Sequence, residues 1–193
     1  MLHKGIEILI STLILLPVFF VMRKRIFGDC RKTAGYFVFA TYLSAVYLFV
    51  GMPTLQFVRF DVSVTWIPFL PMLRDLKNTI LNIILFVPLG MLLPFLWVRY
   101  HTMRKTVIFG FCMSLAIELL QMLTYRATDI NDIIANTAGA LLGYLLFRVI
   151  SQCFPSITGF AVKKNEVVIV MMPVFFAMFF IQPYIASLYY SIL

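Results

Sequence analysis

Residues Ser114 to Tyr144 read SLAIELLQMLTYRATDINDIIANTAGALLGY. Two apolar runs flank a short polar connection, Tyr125 to Asn131. In the first run, Gly110, Ser114, Glu118, Gln121 and Tyr125 follow one another at steps of four and three, which puts them on one stripe of a helix. In the second, Asp132, Asn136, Gly139 and Gly143 share a stripe in the same way. A connection this short makes the two helices antiparallel neighbours, so their polar stripes meet. Three of the chain's eight acidic residues, Glu118, Asp129 and Asp132, fall in this stretch. Ionisable groups in such apolar surroundings are costly and by default mark a functional site.

The rest of the chain supplies those surroundings. It has 193 residues, is 62% hydrophobic and has a mean hydropathy of +0.98. A soluble domain of this length cannot hide that much apolar surface. Several runs approach the ~20 apolar residues needed to cross a bilayer core. The expected fold is an all-α integral membrane protein, a polytopic bundle of about six transmembrane helices forming a single domain over residues 1–193. Cys30, Cys112 and Cys153 form no CxxC, and His3 and His101 fall at opposite ends of their spans, so no metal site and no cofactor are expected.

The six spans run over about 5–22, 34–52, 79–98, 106–124, 132–152 and 166–190. Basic residues cluster between them. Arg23, Lys24, Arg25, Arg31 and Lys32, then Arg99, Arg104 and Lys105, then Arg148, Lys163 and Lys164 fall in alternate connections. The other side holds only Lys4, Arg59, Arg74, Lys77 and Arg126. By the positive-inside rule the richer side is cytoplasmic and both termini are outside. Lys4 alone precedes the first span and five basic residues follow it, which argues for an uncleaved span rather than a signal peptide. The net charge of +8 reflects this distribution, and nucleic acid is not an expected partner.

The connection from Pro53 to Asn78 is the longest. Within it VRFDVSVTW, Val58 to Trp66, alternates polar and apolar residues as a half-buried strand does. Unpaired backbone is not tolerated in lipid, so this segment is expected at the interface or paired as a small hairpin over the bundle; the other reading is a solvated loop with accidental alternation. Span three carries Asn78, Asn82 and Phe86 at its outer side, followed by Pro88 and Gly90. Asn82 is positioned to face Glu118 or Asn136.

These readings converge on an outward polar pocket of Asn82, Ser114, Glu118, Gln121, Arg126, Asp129, Asp132 and Asn136. Carboxylates, amides and a guanidinium of this kind hold a polar headgroup or a sugar. Glu118 lies about six residues before the outer end of its span, roughly 9 Å in at the helical rise. Each element also has a purely structural reading. Glu118 and Gln121 can be polar glue between helices, and Asp129 and Asp132 can cap span five. Gly139 and Gly143 form a GxxxG suited to close helix packing.

The same residues resemble the VanZ-like family of membrane proteins. The resemblance is carried by Thr65 to Phe69 (TWIPF), by Asn82, Phe86, Pro88 and Gly90, and by Glu118, Gln121, Arg126, Asp129, Asp132, Asn136, Gly139 and Gly143. It covers about residues 66–146. It implies a bacterial cytoplasmic-membrane protein associated with reduced sensitivity to glycopeptide antibiotics, teicoplanin in particular. The expected partners are membrane lipids, a lipid-linked cell-wall precursor or a lipoglycopeptide; no oligomer is specified. Two other readings stay open. One is an enzyme acting on a lipid-linked envelope substrate, with Glu118 and Asp132 as acid/base candidates. The other is a proton-coupled transporter with Glu118 as the proton site.

Overall fold

The computed structural model describes residues 2–56, 58, 64–65, 75–124, 128–156, 161–162, 164 and 166–192. Helices account for most of them: α1 (Leu2–Met22), α2 (Cys30–Val50), α3 (Leu76–Leu96), α4 (Met103–Gln121), α5 (Ile130–Cys153), α6 (Val167–Phe176) and α7 (Gln182–Ile192). A π-helical turn, Arg23–Phe27, extends α1, and another, Ala177–Ile181, makes α6 and α7 one continuous helix. Each expected span is matched by a helix whose ends fall within a few residues. The expected all-α polytopic architecture is present.

Five helical segments are long and apolar enough to cross a membrane: His3–Phe27, Cys30–Val50, Leu76–Leu96, Ile130–Cys153 and Val167–Ser191. The remaining long helix, α4, carries Arg104, Lys105 and Glu118. Its faces are nonetheless sorted as in a membrane helix. Ile108, Phe111, Leu115 and Leu119 point outward, while Thr106, Gly110, Ser114, Glu118 and Gln121 are buried. A helix in water would reverse that arrangement. The chain is a multi-pass membrane protein.

The chain packs as two compact units, Met1–Val58 with Glu166–Leu193, and Arg59–Asn165. In the first, α1 and α2 form a hairpin. Gly28, with φ of 74°, closes the end of the first helix, and Asp29 caps α2 by accepting from the Arg31 N–H at 3.0 Å. Pro183 cannot donate to the helical ladder. The Phe179 carbonyl, four residues before it, instead accepts from the Leu55 N–H at 3.0 Å. Near the other end of this unit, Lys32 Nζ lies 2.6 Å from Glu166 Oε2, and the Tyr36 hydroxyl donates to the same oxygen at 2.8 Å. Glu166 is only 1% exposed.

In the second unit, α3 and α5 pack backbone against backbone. Any Cβ at Gly90 would overlap the Ala140 carbonyl, at Gly139 the Ile83 carbonyl, and at Gly143 the Val87 carbonyl. Lipid supplies no hydrophobic force between apolar helices, so small residues and close contact hold them together. The GxxxG of α5 is thus a packing device, as its structural reading has it. Helix α3 continues through Pro88 and Pro94. Where strand pairing was expected, Val64–Thr65 (β1) pairs in parallel with Thr128–Asp129 (β2), not as a hairpin within its own connection. Within that connection 57, 59–63 and 66–74 lie outside the described residues, as does TWIPF beyond Thr65.

Two outcomes follow for stability. Gly143→Ala is expected to cost about 1–3 kcal/mol through overpacking, whereas Gly5→Ala, with nothing within 4 Å of the added carbon, should be neutral. Thermal unfolding of the purified proteins in detergent checks both. Lys32→Met strands a buried carboxylate and should cost about 3–5 kcal/mol; Lys32→Met with Glu166→Gln should recover much of the loss.

Candidate functional site

Helix α4 ends at Gln121, three residues earlier than the sequence suggests. Glu118 therefore sits in its last turn, about 5 Å from the helix end rather than the roughly 9 Å expected. A carboxylate there faces the negative end of the helix dipole and must find compensation. It does so in β2: Glu118 Oε2 accepts from the Asp129 N–H at 2.9 Å, and the Glu118 carbonyl accepts from the Thr128 hydroxyl at 3.1 Å. Glu118 is 2% exposed. It latches the connection between α4 and α5 to the end of α4.

Asp129 caps α5, as its structural reading has it. Its Oδ1 accepts from the Asn131 N–H at 2.9 Å and from the Asn131 amide Nδ2 at 2.7 Å. Asn131 was not singled out from sequence, yet it is buried, while Asp132 beside it is half-buried in the first turn of α5. The signal was present as Asp-Ile-Asn at a helix start, a capping pattern whose second member folds back on the first.

One turn deeper, Asn136 Nδ2 donates to Ser114 Oγ at 2.9 Å, both fully or nearly buried. The Asn136 Oδ1 atom is buried with no hydrogen-bond partner among the described residues. Gln121 is also buried on the same stripe of α4. The structure thus brings Ser114, Glu118, Gln121, Asp129 and Asn136 into one polar ladder between α4 and α5. It runs about 10 Å from the helix ends into the bundle at the helical rise. Asn82 is half-buried on α3, and no hydrogen bond joins its amide to Glu118 or Asn136. Arg126 lies outside the described residues.

The ladder offers hydrogen-bond acceptors of graded depth: Asp129 near the end, Glu118 below it, Asn136 at the bottom. Ser114 Oγ is bonded to an amide rather than to a general base. Among the described residues, no group of three His, Cys, Asp or Glu side chains could hold a metal ion.

The chain is similar to known proteins. A curated relative, Protein VanZ of Enterococcus faecium, is 35% identical over 74 residues. Those residues are 38% of this chain and 45% of that protein, so the chain spans about half the length of the relative it matches. No solved structure matches the chain. The model of the VanZ/LLP1 family matches residues 8–151. That region reaches upstream of 66–146 and takes in α2 and most of α1 as well as the ladder. The protein therefore belongs to the VanZ/LLP1 family.

Proposed function

We propose that this protein lowers the sensitivity of a bacterial cell to glycopeptide antibiotics of the teicoplanin type, or maintains the envelope such drugs attack. On this reading it acts from the cytoplasmic membrane with the Glu118 end of α4 facing outward and both termini outside. The ladder between α4 and α5, with Arg126, Asp132 and Asn82, holds a lipid headgroup, a wall precursor or the antibiotic itself. One observation carries the reading. Asn136 Oδ1 is a buried acceptor with no partner among the described residues. A buried polar atom left unpaired costs about 1–3 kcal/mol, a cost that a ligand hydroxyl or amide would remove. Membership of the VanZ/LLP1 family supports the envelope setting. The asymmetry of basic residues supports the orientation.

The test is teicoplanin susceptibility of a sensitive host expressing the chain, with membrane abundance measured in parallel. Wild type is expected to raise the inhibitory concentration. Asn136→Leu and Arg126→Ala are expected to return it to the vector level at unchanged abundance. Full protection by both variants would overturn the pocket reading. Glu118 needs separate treatment because it also holds the chain together. Glu118→Ala strands the Asp129 N–H and should cost about 1–3 kcal/mol of stability. Glu118→Gln keeps an acceptor there, so its thermal midpoint in detergent should stay near wild type while protection falls.

A further inference from the structure

Antiparallel packing of α4 on α5 sets the start of α4 beside the end of α5. Between them is a cavity of about 560 Å³, lined by His101, Thr102, Met103, Tyr144, Arg148 and Gln152 among others. It lies at the far end of the helix pair from the Glu118 ladder. Thr102 and Glu118 are about 24 Å apart along α4 at the helical rise. We propose that this cavity is a second site, one that holds the phosphate of an anionic phospholipid headgroup.

The polar lining is built and oriented. The Tyr144 hydroxyl donates to the His101 carbonyl at 2.8 Å, and Arg148 Nη1 donates to the Tyr144 oxygen at 3.4 Å. Among the described residues Arg148 has no carboxylate partner, and its exposed guanidinium, which lines the cavity, keeps donors beyond the bond to Tyr144. The His101 ring packs against Phe147 with centroids 5.7 Å apart, and its Nε2 is buried with no partner among the described residues. The Thr102 side chain does not cap α4, which leaves the positive end of that helix turned toward the cavity. Of these features, the Arg148 guanidinium and the positive end of α4 favour an anion. No acidic residue occurs in 97–106 or 143–156, while Arg99, Arg104 and Lys105 add to the positive field.

The rim says which kind of anion. Met103, Leu145 and Val149 line the cavity and are 49%, 45% and 59% exposed. On a membrane helix such side chains face acyl chains. A mostly apolar cavity with one guanidinium, that of Arg148, among its polar groups has the amphipathic form of a phospholipid, and basic pockets between spanning helices bind anionic headgroups. A free phosphate would use the basic floor but gain nothing from the rim.

The test is a thermal-shift titration of the purified full chain in neutral detergent. The ligands are phosphatidylglycerol, phosphatidylcholine and inorganic phosphate. Phosphatidylglycerol is expected to bind at least about fivefold more tightly than phosphatidylcholine. Arg148→Gln should weaken it about fivefold, and Val149→Trp, which blocks the mouth without changing charge, should do the same. Arg104→Gln, outside the lining, should change it by less than roughly twofold. Should Arg148→Gln fail to fold, Val149→Trp decides alone. Undiminished phosphatidylglycerol binding in Val149→Trp overturns the site. Stabilisation by inorganic phosphate equal to that by the lipid overturns the lipid assignment and leaves a free-anion site. An equal loss in Arg104→Gln overturns the pocket in favour of diffuse attraction.

Discussion

The contact between the α3 and α5 backbones is the interaction on which the unit Arg59–Asn165 depends. Gly90, Gly139 and Gly143 have no room for a side chain, because carbonyl groups of the opposing helix occupy it. Where the solvent is hydrocarbon, burying a methyl group between two helices gains little over leaving it in lipid. Removing side chains lets main chains meet, where Cα–H groups can face carbonyl oxygens. That contact fixes how α5 is turned about its own axis. It commits Ala140 toward Gly110 and Asn136 toward Ser114, each step of four along α4 matched by a step of four back along α5. The polar ladder is a consequence of glycine packing along the adjoining face of the same helix.

Glu118 illustrates how one side chain serves two ends. Its position at the close of α4 is electrostatically poor, and its bond to the Asp129 N–H compensates. The same bond orients β2, which pairs with β1 and begins α5. Structural and functional readings of such a residue are therefore not rivals. On the proposed function, the carboxylate that shapes the connection is also one of the acceptors the ladder offers.

Much of this was legible in the residues. The 3.6-residue spacing of Gly110, Ser114, Glu118 and Gln121 assigned the inner face of α4, because a helix in lipid has only one place to put polar groups. The GxxxG of α5 announced close packing for the same reason. What stayed hidden depends on distance in the chain. The pairing of Val64–Thr65 with Thr128–Asp129 joins segments more than sixty residues apart, and alternation alone does not name a partner. Glu166 looked like the edge of a span, since nothing local shows that Lys32 and Tyr36 will meet it. Asn131 carries no charge to set it apart in the sequence, yet it is buried where Asp132 is only half-buried, because a neutral amide is cheaper to bury.

The triad of Lys32, Tyr36 and Glu166 bears on how the protein is made. Tyr36 and Glu166 are 130 residues apart in sequence, so the hairpin of α1 and α2 leaves the ribosome long before its acidic partner does. In the folded protein Lys32 also lies over the rings of Phe27 and Tyr36, each ring centroid 5.6 Å from its ammonium. The carboxylate that pairs with Lys32 precedes α6, so the hairpin gains this partner only with that later segment. The buried ion pair of this unit therefore cannot close until the chain has been made through Glu166.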